Sequence, residues 1–300
     1  MLSATFLDQF IQKGIDLIYA TEAADLFKLI NRYERLKSYL GFTDDTALQQ
    51  DIDRTIHHPN ERLSFYHKID SFVKVDKRHR VRGAKALHYR LNRLYERTPI
   101  LLAENDRIKK AIAELPQDYL EIVESTLFSD HFLPLRTFWH HQDISTFTHV
   151  LDVSLRAYKV AKRLKLDYFA AAHGGLLHDY YKYDWHLEDV RLTDDRKIPF
   201  FDLHFFIHGP LAAENVSEDF PHLVGPDPDC VIRNIISSHI PIIALLFWKY
   251  PRQVRCHQSW EARVVSLCDM ASSFGIFKNP LKNIGINFQG PIARDFLKSK

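Results

Sequence analysis

Five short stretches carry side chains whose types and spacing could do chemistry. They are His149 in Thr146-Phe147-Thr148-His149-Val150, the adjacent pair His178-Asp179, His208 in His208-Gly209-Pro210-Leu211, His239 in Ser237-Ser238-His239-Ile240, and Asp269 in Leu267-Cys268-Asp269-Met270. The pair is the centre of the pattern. An imidazole next to a carboxylate offers one nitrogen and two oxygens, a combination that suits Fe, Mn, Zn or Ni. A buried histidine bonded to a nearby carboxylate is the plainer alternative for such a dipeptide. The other members recur about thirty residues apart, each in an apolar stretch. There a polar side chain costs free energy unless it meets a partner.

The elements that must position these residues read as helices. Between residues 5 and 40, Phe6, Phe10, Ile11, Leu17, Ile18, Leu26, Phe27, Ile30 and Tyr33 fall at three- and four-residue spacings, with Gly14 a weak point and Gly41 a terminator. Asp44, Asp45 or Thr46 suits the cap of a following helix through Asp53, and His57-His58-Pro59-Asn60 reads as a turn. Gln117 to Phe128 is again apolar-periodic, and His149 opens a helix expected to run to about Lys165. Pro210 suits the first turn of a new helix after His208, and Pro241 ends the element that carries His239. Strand-like alternation is scarce. The fold class expected is all-α, with a boundary near residue 115 between an N-terminal helical region (1–115) and a domain over 116–300. Pro99 and Pro116 punctuate the junction.

Composition narrows the setting. With 46% hydrophobic and 26% charged residues over 300 positions, the chain has material for a sizeable core. A formal charge of +2 gives no overall bias towards nucleic acid or membrane. Cys230, Cys256 and Cys268 form no close pair, which fits a reducing compartment. The N-terminus lacks the basic start and unbroken apolar run of a signal peptide. The most apolar run, Ile235 to Trp248, is broken by Ser237, Ser238, His239 and Pro241, so no membrane span is expected. A cytoplasmic protein follows. The basic run from Lys74 to Arg97 reads as a solvated helix face, with a nucleic-acid or polyphosphate contact as the sharper alternative.

In the order His149, His178-Asp179, His208, His239, Asp269, the chain resembles the HD-domain superfamily of metal-dependent phosphohydrolases, in its histidine-rich, two-metal branch. His178-Asp179-x-x-Lys182 is similar to the signature dyad and lysine of that family. His141-x-Asp143-x-Ser145 resembles the entrance to its first metal-binding helix. His208-Gly-Pro-Leu-Ala-Ala is similar to a segment of bacterial HD hydrolases that cleave diadenosine polyphosphates, and Tyr183-Asp184-Trp185 resembles uncharacterised bacterial HD-domain proteins. The resemblance covers residues 130 to 275. It implies a helical bundle in which His149, His178, Asp179, His208, His239 and Asp269 hold two divalent ions, with Asp179 bridging them. Four imidazoles and two carboxylates without a thiolate favour Fe or Mn, with Zn or Ni the alternatives. The implied activity is cleavage of a phosphate ester or anhydride of a nucleotide or similar small molecule by metal-activated water, with Lys182 at the substrate phosphate. His141 and His204 are further candidates on the substrate side. The Gly-Tyr-Pro motif of the cyclic di-GMP branch is absent, and Ile240, not a second histidine, follows His239. A one-metal nucleotidase and a non-catalytic ligand-sensing or nucleic-acid-associated regulator are the competing functions.

Overall fold

A computed structural model of the protein describes residues 2–79, 81, 83–140, 144–185, 204–227, 229–239 and 259–274. Every regular element among them is helical; the sole pairing of extended backbone there is an isolated antiparallel bridge between Trp139 and Ser145. None of these helices is long and apolar enough to cross a membrane. The chain groups into two units. The first holds Met1–Ile11, Glu104–Tyr183 and Phe200–Lys300; the second holds Gln12–Ala103 and Asp184–Pro199. Glu104 to Leu115, which the expected boundary near 115 gave to the N-terminal region, groups with the unit that carries the histidines.

The second unit is built on α1 (Ala4–Asn31, from Gln12 onward), α2 (Glu34–Leu40), α3 (Asp45–Ile56), α4 (Pro59–Arg78) and α5 (Ala84–Ala103). The apolar spacing does what it predicts. Leu26, Ile30, Leu36, Leu48, Ile52, Ile69, Val73, Leu87, Leu91 and Leu94 form one buried cluster. Helix α1 runs unbroken through Gly14. Helix α2 stops at Gly41, whose left-handed φ of 87° lets the chain turn away without a Cβ penalty. The Asp44 side chain accepts the Ala47 N–H and caps α3.

Two expectations fail here for physical reasons. Pro99 does not punctuate the chain, because α5 continues through it to Ala103. A proline leaves the carbonyl four residues earlier without its helical donor. That carbonyl belongs to Tyr95, and the Arg62 guanidinium donates to it at 2.9 Å. The basic run is also partly internal. Arg90 and Arg97 are buried, and Arg97 lies between Asp184 at 2.9 Å and Asp25 at 2.8 Å. Lys74 pairs with Asp70 at 2.6 Å, and the Arg93 Nε donates to the Tyr89 hydroxyl.

The first unit holds α6 (Asn105–Ala113), α7 (Gln117–Leu127), a 3-10 turn at Leu133–Thr137, α8 (Thr146–Leu164), α9 (Tyr168–Leu177), α10 (His204–Asp219), the short α11 (Pro221–Val224), α12 (Val231–Ser238) and α13 (Trp260–Phe274). Helices α8 and α9 cross closely because α9 carries the small residues Ala170, Ala171, Ala172, Gly174 and Gly175, all buried. A Cβ on Gly175 would meet the Ser154 Cα at 2.8 Å, and one on Gly174 would meet the Ile235 side chain at 2.5 Å. Pro210 lies inside α10 and not in the first turn of a new helix, which begins instead at His204. Its fixed φ suits a helix although its N–H is missing. At Gly209, α10 lies against the end of α12, where an added Cβ would meet the Ile236 and Ser237 carbonyls at 3.2 Å.

His173 faces this core. It is 1% exposed, its ring lies 4.4 Å from Phe169, and its Nδ1 is 3.3 Å from the Phe169 carbonyl. Burial lowers its pKa to about 4, against the raising effect of that carbonyl. Unfolded chain takes up this proton near the ordinary 6.5 and folded chain does not until about 4. Stability from this group is therefore complete above 6.5 and is lost as pH falls towards 4, by up to ~3 kcal/mol. His173→Gln should unfold with a flatter pH dependence than wild type across that window in urea titrations. Parallel curves would show that His173 does not contribute to it.

Candidate metal centre

His149 sits in the first turn of α8. The Ser145 side chain caps that helix by accepting the Thr148 N–H at 3.2 Å. Beneath it, the buried Glu104 carboxylate accepts the Ser145 N–H at 3.0 Å. Burial raises the Glu104 pKa, against the lowering effect of its bonds to Thr148 and Ser145. One turn beyond His149, Asp152 accepts the Arg156 Nε and the Ser272 hydroxyl, both at 2.8 Å. This fastens α8 to α13 and brings the His149 Nε2 to 3.1 Å from the Asp269 Oδ1.

His178 and His239 repeat one local device. Each is the residue just past its helix, in right-handed helical conformation, after α9 and α12 respectively. The last carbonyls of a helix lack helical donors. Each imidazole supplies one. The Nδ1 of His178 is 2.8 Å from the Gly175 carbonyl, and the Nδ1 of His239 is 2.8 Å from the Ile236 carbonyl. With the proton on Nδ1, both Nε2 lone pairs point inward, which is how a metal-binding histidine is usually oriented. The Ser266 hydroxyl, on α13, donates to the His239 carbonyl at 2.6 Å and steadies the end of α12.

Asp179 lies at the middle, and its two oxygens face different neighbours. Oδ1 is 3.5 Å from the Nε2 of both His208 and His239, and those two nitrogens are 2.8 Å apart. Oδ2 is 3.6 Å from the His178 Nε2 and 3.8 Å from the His149 Nε2. Asp269 joins the second set, 3.7 Å from His178 as well as 3.1 Å from His149. Three overlapping groups could hold a metal ion: His140, His149 and Asp179; His149, His178 and Asp269; and His178, Asp179 and His239. Within each group the donor atoms lie within 4.8 Å of one another; donors bound to one ion at ~2.1 Å lie roughly 3–4 Å apart.

The electrostatics agree with the geometry. Burial would raise the Asp179 pKa, but His178, His239, His208 and His140 hold it well below the ordinary carboxylate range. Asp269 is held low likewise by His149 and His178, against its burial. Burial would lower the His178 pKa, yet the carboxylates of Asp179 and Asp269 raise it to about 9. Even so, the His178 Nε2 and the Asp179 Oδ1 are buried and close no hydrogen bond among the described residues. Such atoms cost ~1–3 kcal/mol each unless something satisfies them. A cation beside each fits. Cys268 supplies no thiolate here: burial pushes its pKa up to about 12, only partly opposed by Arg156.

All six residues expected as ligands thus converge. The Lys182 ammonium lies 2.9 Å from Asp219 and 3.1 Å from Glu218, both on α10. Asp219 is shared with the Tyr180 hydroxyl, which donates to it at 2.6 Å. His141 lies outside the described residues, and so does the side chain of His204. His140 was missed by the sequence reading. It is 6% exposed, its ring stacks on His149 at 4.0 Å, and its Nε2 is 3.8 Å from the Asp179 Oδ2. Its only sequence signal was its place beside His141 in the run that precedes α8. Glu104 was missed as well, since nothing in the charged stretch around it marks a buried carboxylate.

Comparison of the chain with protein-family models, with curated proteins and with solved structures gave no match.

Proposed function

We propose that this protein is a metal-dependent phosphohydrolase of the HD type, holding two divalent ions and cleaving a phosphate ester or anhydride of a nucleotide or similar small molecule. One observation carries the reading: Asp179 turns one oxygen to His208 and His239 and the other to His149 and His178. A carboxylate so placed suits two cations side by side. Ions held there would supply Lewis acidity, lowering the pKa of a water and stabilising charge in a displacement at phosphorus. The donors are imidazole nitrogens and carboxylate oxygens, which favours Fe or Mn, with Zn or Ni the alternatives. The order of the six residues, similar to that of the histidine-rich HD branch, supports the same reading.

The chain's own residues do the holding and aiming. Gly175 and Ile236 fix the tautomers of His178 and His239 through their carbonyls. Glu104 and Ser145 hold the first turn of α8, and the Asp152–Ser272 bond keeps Asp269 opposite His149. Burial excludes bulk water from the ligand side, which strengthens every charge interaction within it.

The test is metal analysis joined to turnover. Full-length protein purified and reloaded anaerobically with Mn2+ or Fe2+ should retain close to two ions per chain. It should hydrolyse bis-p-nitrophenyl phosphate and some of a panel of nucleotides and dinucleoside polyphosphates. A chelator should remove both properties. One ion per chain would reduce the reading to the single-metal form. Protein that binds no ion, or binds ions and cleaves nothing on the panel, would remove the enzyme reading and leave the regulator.

A further inference from the structure

We infer that His140 is a seventh ligand, joining His149 on the Oδ2 side of Asp179; the inference rests on the metal-centre reading above. Three observations carry it. First, the Nε2 atoms of His140 and His149 are each 3.8 Å from the same oxygen, Asp179 Oδ2. Their rings stack at 4.0 Å with 28° between planes, so both present an edge to that oxygen.

Second, the far nitrogen of His140 is tied, as those of His178 and His239 are. Its Nδ1 is 3.3 Å from the Tyr181 hydroxyl, which is itself 3.0 Å from the Thr146 hydroxyl. Placing the proton on Nδ1 gives the chain His140 to Tyr181 to Thr146 and leaves the Nε2 lone pair for a cation. His178 and His239 achieve the same with backbone carbonyls.

Third, the backbone around His140 is closed. The His140 N–H donates to Ile144 at 3.0 Å and the Thr146 N–H donates to Phe138 at 2.8 Å. These two bonds hold His140 beside the start of α8.

The donor count then becomes unequal. The Nε2 of His149 has one lone pair, so the group containing His140 and the group containing Asp269 share one ion, and the His178 Nε2, 3.6 Å from Asp179 Oδ2, is assigned to that ion and not to the one at His239. That side of Asp179 offers His140, His149, His178, Asp269 and Oδ2. The other side offers His208, His239 and Oδ1. The side poorer in protein donors is where oxygens of a phosphate ester have most room, and the richer side is the tighter, first-filled one.

The test uses the full-length apoprotein titrated anaerobically with Co2+, followed by visible absorption, with circular dichroism confirming the fold. Wild type should bind a first ion tightly. His140→Gln should weaken that ion by ~10–100-fold or more and change its absorption bands, because a nitrogen donor is lost. Tyr181→Phe should keep the bands and weaken the ion less, by about 10-fold, because the ligand remains but loses its tie. Wild type that binds no cobalt would sink the metal-centre reading itself. Wild type that binds cobalt while His140→Gln matches it in affinity and bands would overturn only the role of His140. If His140→Gln does not fold, Tyr181→Phe decides: unchanged affinity overturns the inference, and a weaker ion with preserved bands supports it.

Discussion

Asp179→Asn should strip both ions together and lower phosphate-ester turnover by more than ~10³-fold, beyond the usual loss for one electrostatic group. The asparagine has the same size and fills the same space. Its amide has a single oxygen, so it cannot serve His208 and His239 on one side and His149 and His178 on the other. It also withdraws the negative charge nearest to His178, the chief influence raising that imidazole against burial. Asp269→Asn makes the contrast, since the histidines that Asp269 approaches among the described residues are His149 and His178. It should weaken one ion and leave the other. Metal content after dialysis, measured beside turnover and a thermal melt, separates the two variants. An Asp179→Asn protein that folds and still holds two ions would falsify the shared-carboxylate reading.

Gly175→Ala carries the largest expected loss of stability. Alanine is the better helix former by about 1 kcal/mol, so propensity alone predicts a gain. Packing outweighs it. The new Cβ would stand 2.8 Å from the Ser154 Cα and 3.1 Å from its nitrogen, and backbone cannot rotate aside. Overpacking of this kind costs about 1–3 kcal/mol and sometimes more. We expect a net loss of ~2 kcal/mol, a melting temperature lower by roughly 4–8 °C for a domain of this size. Because the Gly175 carbonyl also orients His178, pushing α9 away from α8 should weaken metal binding in the same variant by ~10-fold. Gly174→Ala differs, since its clash is with the Ile235 side chain and trimming Ile235 to alanine should partly relieve it. No side-chain change at Ser154 can relieve Gly175→Ala. A variant as stable as wild type would mean that α8 and α9 do not pack as closely as described.

What could be read from the sequence depended on periodicity. Helices show in their apolar spacing, and Gly41 and Asp44 mark an end and a start because their chemistry is local. The six residues expected as ligands stood out because they fall in or at the ends of apolar stretches, where an unpartnered polar group is costly. His140 precedes α8 outside any periodic run, so no such contrast flags it. Pro99 misled because the donor that compensates it, Arg62, is distant in the chain. Arg90 and Arg97 did share the face of Leu87, Leu91 and Leu94, but a basic run conceals burial until its carboxylate partners are known.

The 2.8 Å approach of the His208 and His239 nitrogens has a thermodynamic consequence. Two ring nitrogens that close suit one shared cation, and the Asp179 and Asp269 carboxylates raise the pKa of His178 in the same pocket. On the proposed reading, loading with metal would exchange the His178 proton for a cation. On that reading the pocket would trade one form of positive charge for another beside the Asp179 and Asp269 carboxylates. Uptake would therefore acidify an unbuffered solution, and an acidic medium would drive the reverse reaction by mass action.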